Sequence, residues 1–111
     1  MLNIYCDGVF DLFHKGHLLH LKKIKELFDE KIFLIVGVID DQTSIRYKRK
    51  PIFNKNQRKE ILNSCIYVDK VIVTNMLHMT KQFIEDNKID YIVHAFFNKD
   101  DENKQADFYK I

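Results

Sequence analysis

Three imidazoles fall within seven residues: His14, His17 and His20, in a chain that holds 5 histidines in all. They lie in the stretch YCDGVFDLFHKGHLLHL, from Tyr5 to Leu21. Imidazole N–H groups can donate to phosphate oxygens. Gly16, between His14 and His17, leaves no side chain to block close approach of a phosphate chain. A second group of charges follows in DDQTSIRYKRK, residues 40–50, with Arg46, Lys48, Arg49 and Lys50. An amine from that segment, Lys48, can neutralise charge that grows on a phosphorus under attack. Such a site needs no covalent intermediate and works by positioning and electrostatic stabilisation.

Simpler readings compete with that chemistry. A histidine near a helix start often caps it or meets solvent, and His20 alone reads as surface or core filler. The run RYKRK, taken alone, reads as a solvated loop. A zinc site would begin from His17 and His20 on one helix face. No carboxylate-and-histidine cluster at a recognised ligand spacing accompanies them, so no metal ligand is assigned. The chain has no G-x-x-x-x-G-K-[ST], no G-x-G-x-x-G and no serine-based nucleophile elbow.

The elements that must hold these groups follow from the apolar pattern. Residues 2–6 predict a strand, and Asp7-Gly8 a turn. Leu18, Leu21, Ile24, Leu27 and Phe28 recur at helical spacing within residues 16–28. IFLIVGVI, residues 32–39, is a continuous apolar run with the length and β-branching of a strand buried on both faces. The basic segment 40–50 reads as a loop closed by Pro51, then come a helix over 56–66, a strand over 67–73, a helix over 79–87 and a strand over 89–94. This alternation predicts an α/β, Rossmann-like, doubly wound parallel sheet in a single domain over residues 1–111. Ligands in such sheets bind outside the carboxyl ends of the strands. Loops 6–15 and 40–50 both belong there, which predicts an anion site built from two loops and a helix N-terminus.

Composition narrows the class. The chain is 46% hydrophobic and 31% charged, as in folded globular proteins. A net charge of +2 gives no case for a nucleic-acid partner. No apolar run is long enough for a membrane span, and the opening MLNIYCDGVF lacks the features of a secretory signal. Cys6 and Cys65 read as reduced core thiols, and the expected location is cytoplasmic.

The stretch DGVFDLFHKGH, residues 7–17, resembles the signature of the cytidylyltransferases, with their H-x-G-H element at His14 to His17. The longer form is most similar to members that act on phosphocholine. The resemblance continues through LIVGV, Lys48, the polar run that ends at Arg58, YVDKV and IDYIVH. It implies transfer of CMP from CTP to a phosphorylated alcohol, with pyrophosphate released and Mg²⁺ accompanying the nucleotide. The implied catalytic residues are His14, His17 and Lys48. The implied nucleotide-binding positions are Gly8, Val9, Phe10, Gly16 and His94. The acceptor would meet Asp7, as a carboxylate for a quaternary ammonium, and Tyr109 as an aromatic face. A homodimer is implied, with residues 66–71 as a candidate contact. Leu77 stands where the family has tryptophan, Ala95 where it has an acidic residue, and Ile66 where it has a basic one. The family's later R-T-x-G-I-S-T-S element is missing from these 111 residues, so a relative shortened at its C-terminus is expected. Ethanolamine phosphate or glycerol phosphate as acceptor, an adenylyl transfer, and a dimerising relative that no longer catalyses are the alternatives.

Overall fold

The structure is a computed structural model, and it describes residues 1–47, 49–75 and 79–94. Its elements are β1 (Leu2–Gly8), α1 (Lys15–Lys25), β2 (Ile32–Ile39), α2 (Asp41–Tyr47), α3 (Lys55–Asn63), β3 (Lys70–Thr74), α4 (Lys81–Asp86) and β4 (Tyr91–Ile92). The four strands form one parallel sheet in the order β3-β2-β1-β4. The chain runs outward from β1 through β2 to β3, then crosses back to β4 on the other side of β1. Strand order therefore reverses between β1 and β4, which is the switch point of a doubly wound sheet.

Two apolar layers follow from the strand alternation. Ile4 and Cys6 of β1, with Leu34, Val36 and Val38 of β2, face Leu21 and Ile24 of α1 and Leu62 of α3. Tyr5 and Ile35 face the other way, against Met79, Ile89, Phe83 and Ile84 of the α4 side. This double burial explains why β2 is apolar at every position. Gly37 is the exception in size, and the Tyr5 ring explains it. A Cβ there would overlap the Tyr5 hydroxyl and lie 2.8 Å from its Cζ. That ring is wholly buried, so it has nowhere to retreat. Cys6 is buried and Cys65 half-buried, and both are free thiols; burial raises the Cys6 pKa, helped by the Asp7 charge.

Five predicted elements are trimmed and one is added. The first helix stops at Lys25, because Glu26 and Leu27 turn back onto the carbonyls of Lys23 and Ile24. Residues 65–68 close α3 with a turn, Val68 N–H donating to the Cys65 carbonyl at 3.2 Å, so pairing of β3 begins only at Lys70. β4 pairs β1 over Tyr91 and Ile92 alone. The segment expected to be a loop from residue 40 instead forms α2. Its start is fixed by Asp40, whose Oδ1 accepts from the Thr43 N–H at 2.8 Å and whose carbonyl accepts from Ser44 N–H at 3.0 Å. Among the described residues no helix is long and apolar enough to cross a membrane.

Candidate functional site

α1 begins at the carboxyl end of β1, and its first N–H groups have no helical partner. His14 is the N-cap, with an extended backbone, and its Nδ1 accepts from Gly16 N–H at 2.9 Å. His17 closes the reciprocal half of a capping box, its Nδ1 accepting from His14 N–H at 3.1 Å. Each ring therefore uses Nδ1 as an acceptor, and in the neutral imidazole the proton sits on Nε2. The two ring centroids are 4.0 Å apart. His17 is further framed by Phe13, stacked at 5.5 Å, and by the edge of Phe10, also at 5.5 Å. The mouth of α1 thus holds two imidazole rings side by side, beside the helix's own amides. Gly16 makes room for the His14 ring: a Cβ there would lie 2.7 Å from its Cε1.

The turn before the histidines is held from two sides. Phe10 has φ 55°, a left-handed conformation that strains a bulky side chain, yet it is buried. On one side, Arg58 reaches up from α3, fully buried, and donates to the carbonyls of Val9 (2.9 Å), Ile39 (2.7 Å) and Phe53 (3.0 Å) and to Asp41 Oδ1 (2.6 Å). One guanidinium thus fastens the ends of β1 and β2, the start of α2 and the lead-in to α3. On the other side, the Asp11 carboxylate accepts from the backbone N–H groups of Ile52 and Phe53 and from Arg49 Nη1 at 3.3 Å. Burial works to raise the Asp11 pKa, but the bonds from Ile52, Phe53 and Arg49 outweigh it and hold the carboxyl below its ordinary value.

At the switch point, Asp7 at the end of β1 meets His94 just beyond β4, with Asp7 Oδ1 3.4 Å from His94 Nδ1 and both side chains largely buried. His20 lies close enough to feel His94. Burial first, then the charges of His94 and Lys23, lower its pKa below the usual histidine value.

The structure thus brings His14, His17, Gly16 and Phe10 together at the helix mouth, and Asp7 and His94 together at the switch point. Gly8 lies under the Phe10 ring, 3.1 Å from where its Cβ would be. The Val9 carbonyl accepts from Arg58, so that atom faces the protein interior. Lys48, Leu77, Ala95 and Tyr109 lie outside the described residues. Sequence reasoning gave no role to Asp11, placed Arg49 only among the charges of the basic segment, and marked Arg58 only as the end of a polar run. A signal for Arg58 was present: it sits one helical turn before the buried Leu62, on the inward face of α3.

This is the architecture of α/β domains that take ligands at the carboxyl edge of a parallel sheet. The sequence model of the family described as cytidylyltransferase-like matches residues 5–102, and the chain belongs to that family. It is 40% identical over 93 residues to the probable choline-phosphate cytidylyltransferase of Schizosaccharomyces pombe, covering 84% of this chain and 25% of that protein. It is 38% identical over 107 residues to the ethanolamine-phosphate cytidylyltransferase of Arabidopsis thaliana, covering 94% of this chain and 25% of that one. The chain therefore spans about a quarter of the length of these curated relatives. Among solved structures it resembles the lipopolysaccharide core biosynthesis protein of Thermoplasma volcanium, with TM-score 0.75 and 30% identity, over 89% of this chain and 78% of that one.

Because the folded pKa of Asp11 is depressed, its contribution to stability is present above the unfolded carboxyl value, near ~4, and is lost as pH falls through the folded pKa. Asp11→Asn should therefore be less stable than the parent at neutral pH and show a shallower loss of stability below about pH 4. Urea unfolding across that range checks it; parallel acid limbs in the two proteins would contradict the assignment.

Proposed function

We propose that this chain carries the nucleotide-binding part of an enzyme that transfers CMP from CTP to a phosphorylated amino alcohol. An acceptor phosphate oxygen attacks the α-phosphorus, and the bond to pyrophosphate breaks. The observation that carries this reading is the pair of imidazoles whose Nδ1 atoms cap α1. Their Nε2–H groups would bind the triphosphate and follow its charge into the transition state. Lys48 follows the last residue of α2 in sequence, and its amine would neutralise charge at the α-phosphate. Magnesium enters with the nucleotide as part of the substrate. Among the described residues no three His, Cys, Asp or Glu side chains converge. The two imidazoles offer N–H donors to the nucleotide rather than lone pairs to a metal, so phosphate oxygens and water would be the ion's ligands.

The Asp7–His94 pair supplies the carboxylate for a cationic acceptor. Phosphocholine is the favoured one, with Tyr109 adding an aromatic face. Ethanolamine phosphate is the second reading, favoured by Leu77 in place of a tryptophan and by the Arabidopsis relative. A homodimer belongs to the same reading, and Ile66, 84% exposed, is the apolar residue it would cover. A cytoplasmic setting would keep the two thiols reduced.

Pyrophosphate release should require CTP, Mg²⁺ and one of the two acceptors. His14→Ala and His17→Ala should each lower kcat by roughly 10²–10³-fold, the usual loss for a transition-state donor. Losses of about tenfold or less would remove the assigned roles, and no turnover by the unaltered chain would favour a binding module. Light scattering should give twice the chain mass and, for Ile66→Asp, a monomer; a monomeric parent would refute the dimer.

A further inference from the structure

We propose that Arg49 is a positioning residue for the histidine-bearing turn, acting through Asp11; the proposal rests on the nucleotidyl-transfer reading of that turn. The Arg49 guanidinium grips one residue twice. Its Nη2 donates to the Asp11 carbonyl at 2.5 Å and its Nη1 to Asp11 Oδ2 at 3.3 Å. Nη1 also reaches the Lys50 carbonyl at 3.3 Å. The side chain of Asp11 is wholly covered, whereas that of Arg49 is 55% exposed. Arg49 is itself anchored, because its backbone N–H donates to the Ser44 carbonyl at 3.0 Å.

The consequence runs through Phe10. Its strained backbone is pinned before it by the Val9 carbonyl on Arg58 and after it by the Asp11 carbonyl on Arg49. A residue in that conformation persists only where its surroundings over-determine it. The ring of Phe10 in turn bears on His17. Without Arg49 the Asp11 side chain still holds Ile52 and Phe53, but the Asp11 carbonyl loses its donor. The Asp11–Leu12 peptide that carries this carbonyl can then turn, the backbone following Phe10 loosens at Asp11, and the edge that frames His17 shifts with it. A misplacement of about an ångström at donors aimed at a reacting phosphate can cost as much as 10²-fold.

Arg49→Ala should therefore lower kcat about tenfold or more while leaving KM for CTP within about twofold. Arg49→Lys should recover part of the rate, since an ammonium can reach one of the two oxygens but cannot span both. The melting temperature should change little, because the guanidinium is half in solvent. Amide hydrogen exchange gives a readout that needs no turnover: exchange at His14 and Gly16, whose N–H groups make the imidazole cap, should quicken in Arg49→Ala and not in the core of β2. A raised KM with unchanged exchange would overturn the proposal, since Arg49 would then touch the nucleotide itself. Unchanged kcat and unchanged exchange would overturn it too. An unaltered chain without CTP-dependent turnover would sink the functional reading, and the exchange comparison would still decide the role of Arg49.

Discussion

Two backbone N–H groups at the start of α1 are satisfied by imidazole nitrogen, and the site follows from that choice. Most helices use a short hydroxyl, amide or carboxylate there, and such a cap stabilises by about 1 kcal/mol. Serine and glutamate would close the box equally well but would leave nothing pointing outward. An imidazole has a second nitrogen. Committing Nδ1 of His14 and His17 to the cap fixes the tautomer and leaves each proton on Nε2. The same two bonds therefore cap the helix and fix which ring nitrogen carries the proton.

A pair of donors is only as well placed as the turn that delivers it. That turn leaves β1 through a left-handed phenylalanine, a conformation that costs on the order of 1–3 kcal/mol. The offset comes from outside the turn. Arg58 joins it to the end of β2 and the start of α2, and Asp11 joins it to the segment before α3. Both devices bury charge, and both give that charge hydrogen-bonded partners, which makes such burial tolerable. The sheet beneath is packed on both faces, so its carboxyl edge is a rigid base for the two loops. Across the switch point, Asp7 and His94 form the second polar pair on that edge.

Much of this was legible in the sequence, for physical reasons that differ by element. β2 shows itself as an unbroken apolar run because both its faces are covered. α1 shows itself by Leu21 and Ile24, and the parallel sheet follows from the alternation of strands and helices. α2 was hidden, since a polar segment gives no apolar period and its cap is the side chain of Asp40. The brevity of β4 was hidden because edge pairing depends on the neighbour. The H-x-G-H histidines were legible as residues at a helix start, with capping as one competing reading, but their reciprocal box was not, because rules for helix starts look for Ser, Thr, Asp and Asn. Asp11 and Arg49 were invisible as a pair because they are 38 residues apart. Arg58 shares the inward face of α3 with Leu62, but its partner was hidden because the Val9 carbonyl lies 49 residues away in sequence.

The most direct test is the protonation of the two rings. Long-range proton–nitrogen correlation NMR at about pH 8, where neutral imidazole predominates, reports which nitrogen carries the hydrogen. The account predicts Nε2–H in both His14 and His17, with the Nε2 signals moving when Mg–CTP is added. A proton on Nδ1 of either ring, or Nε2 signals indifferent to the nucleotide, would contradict it.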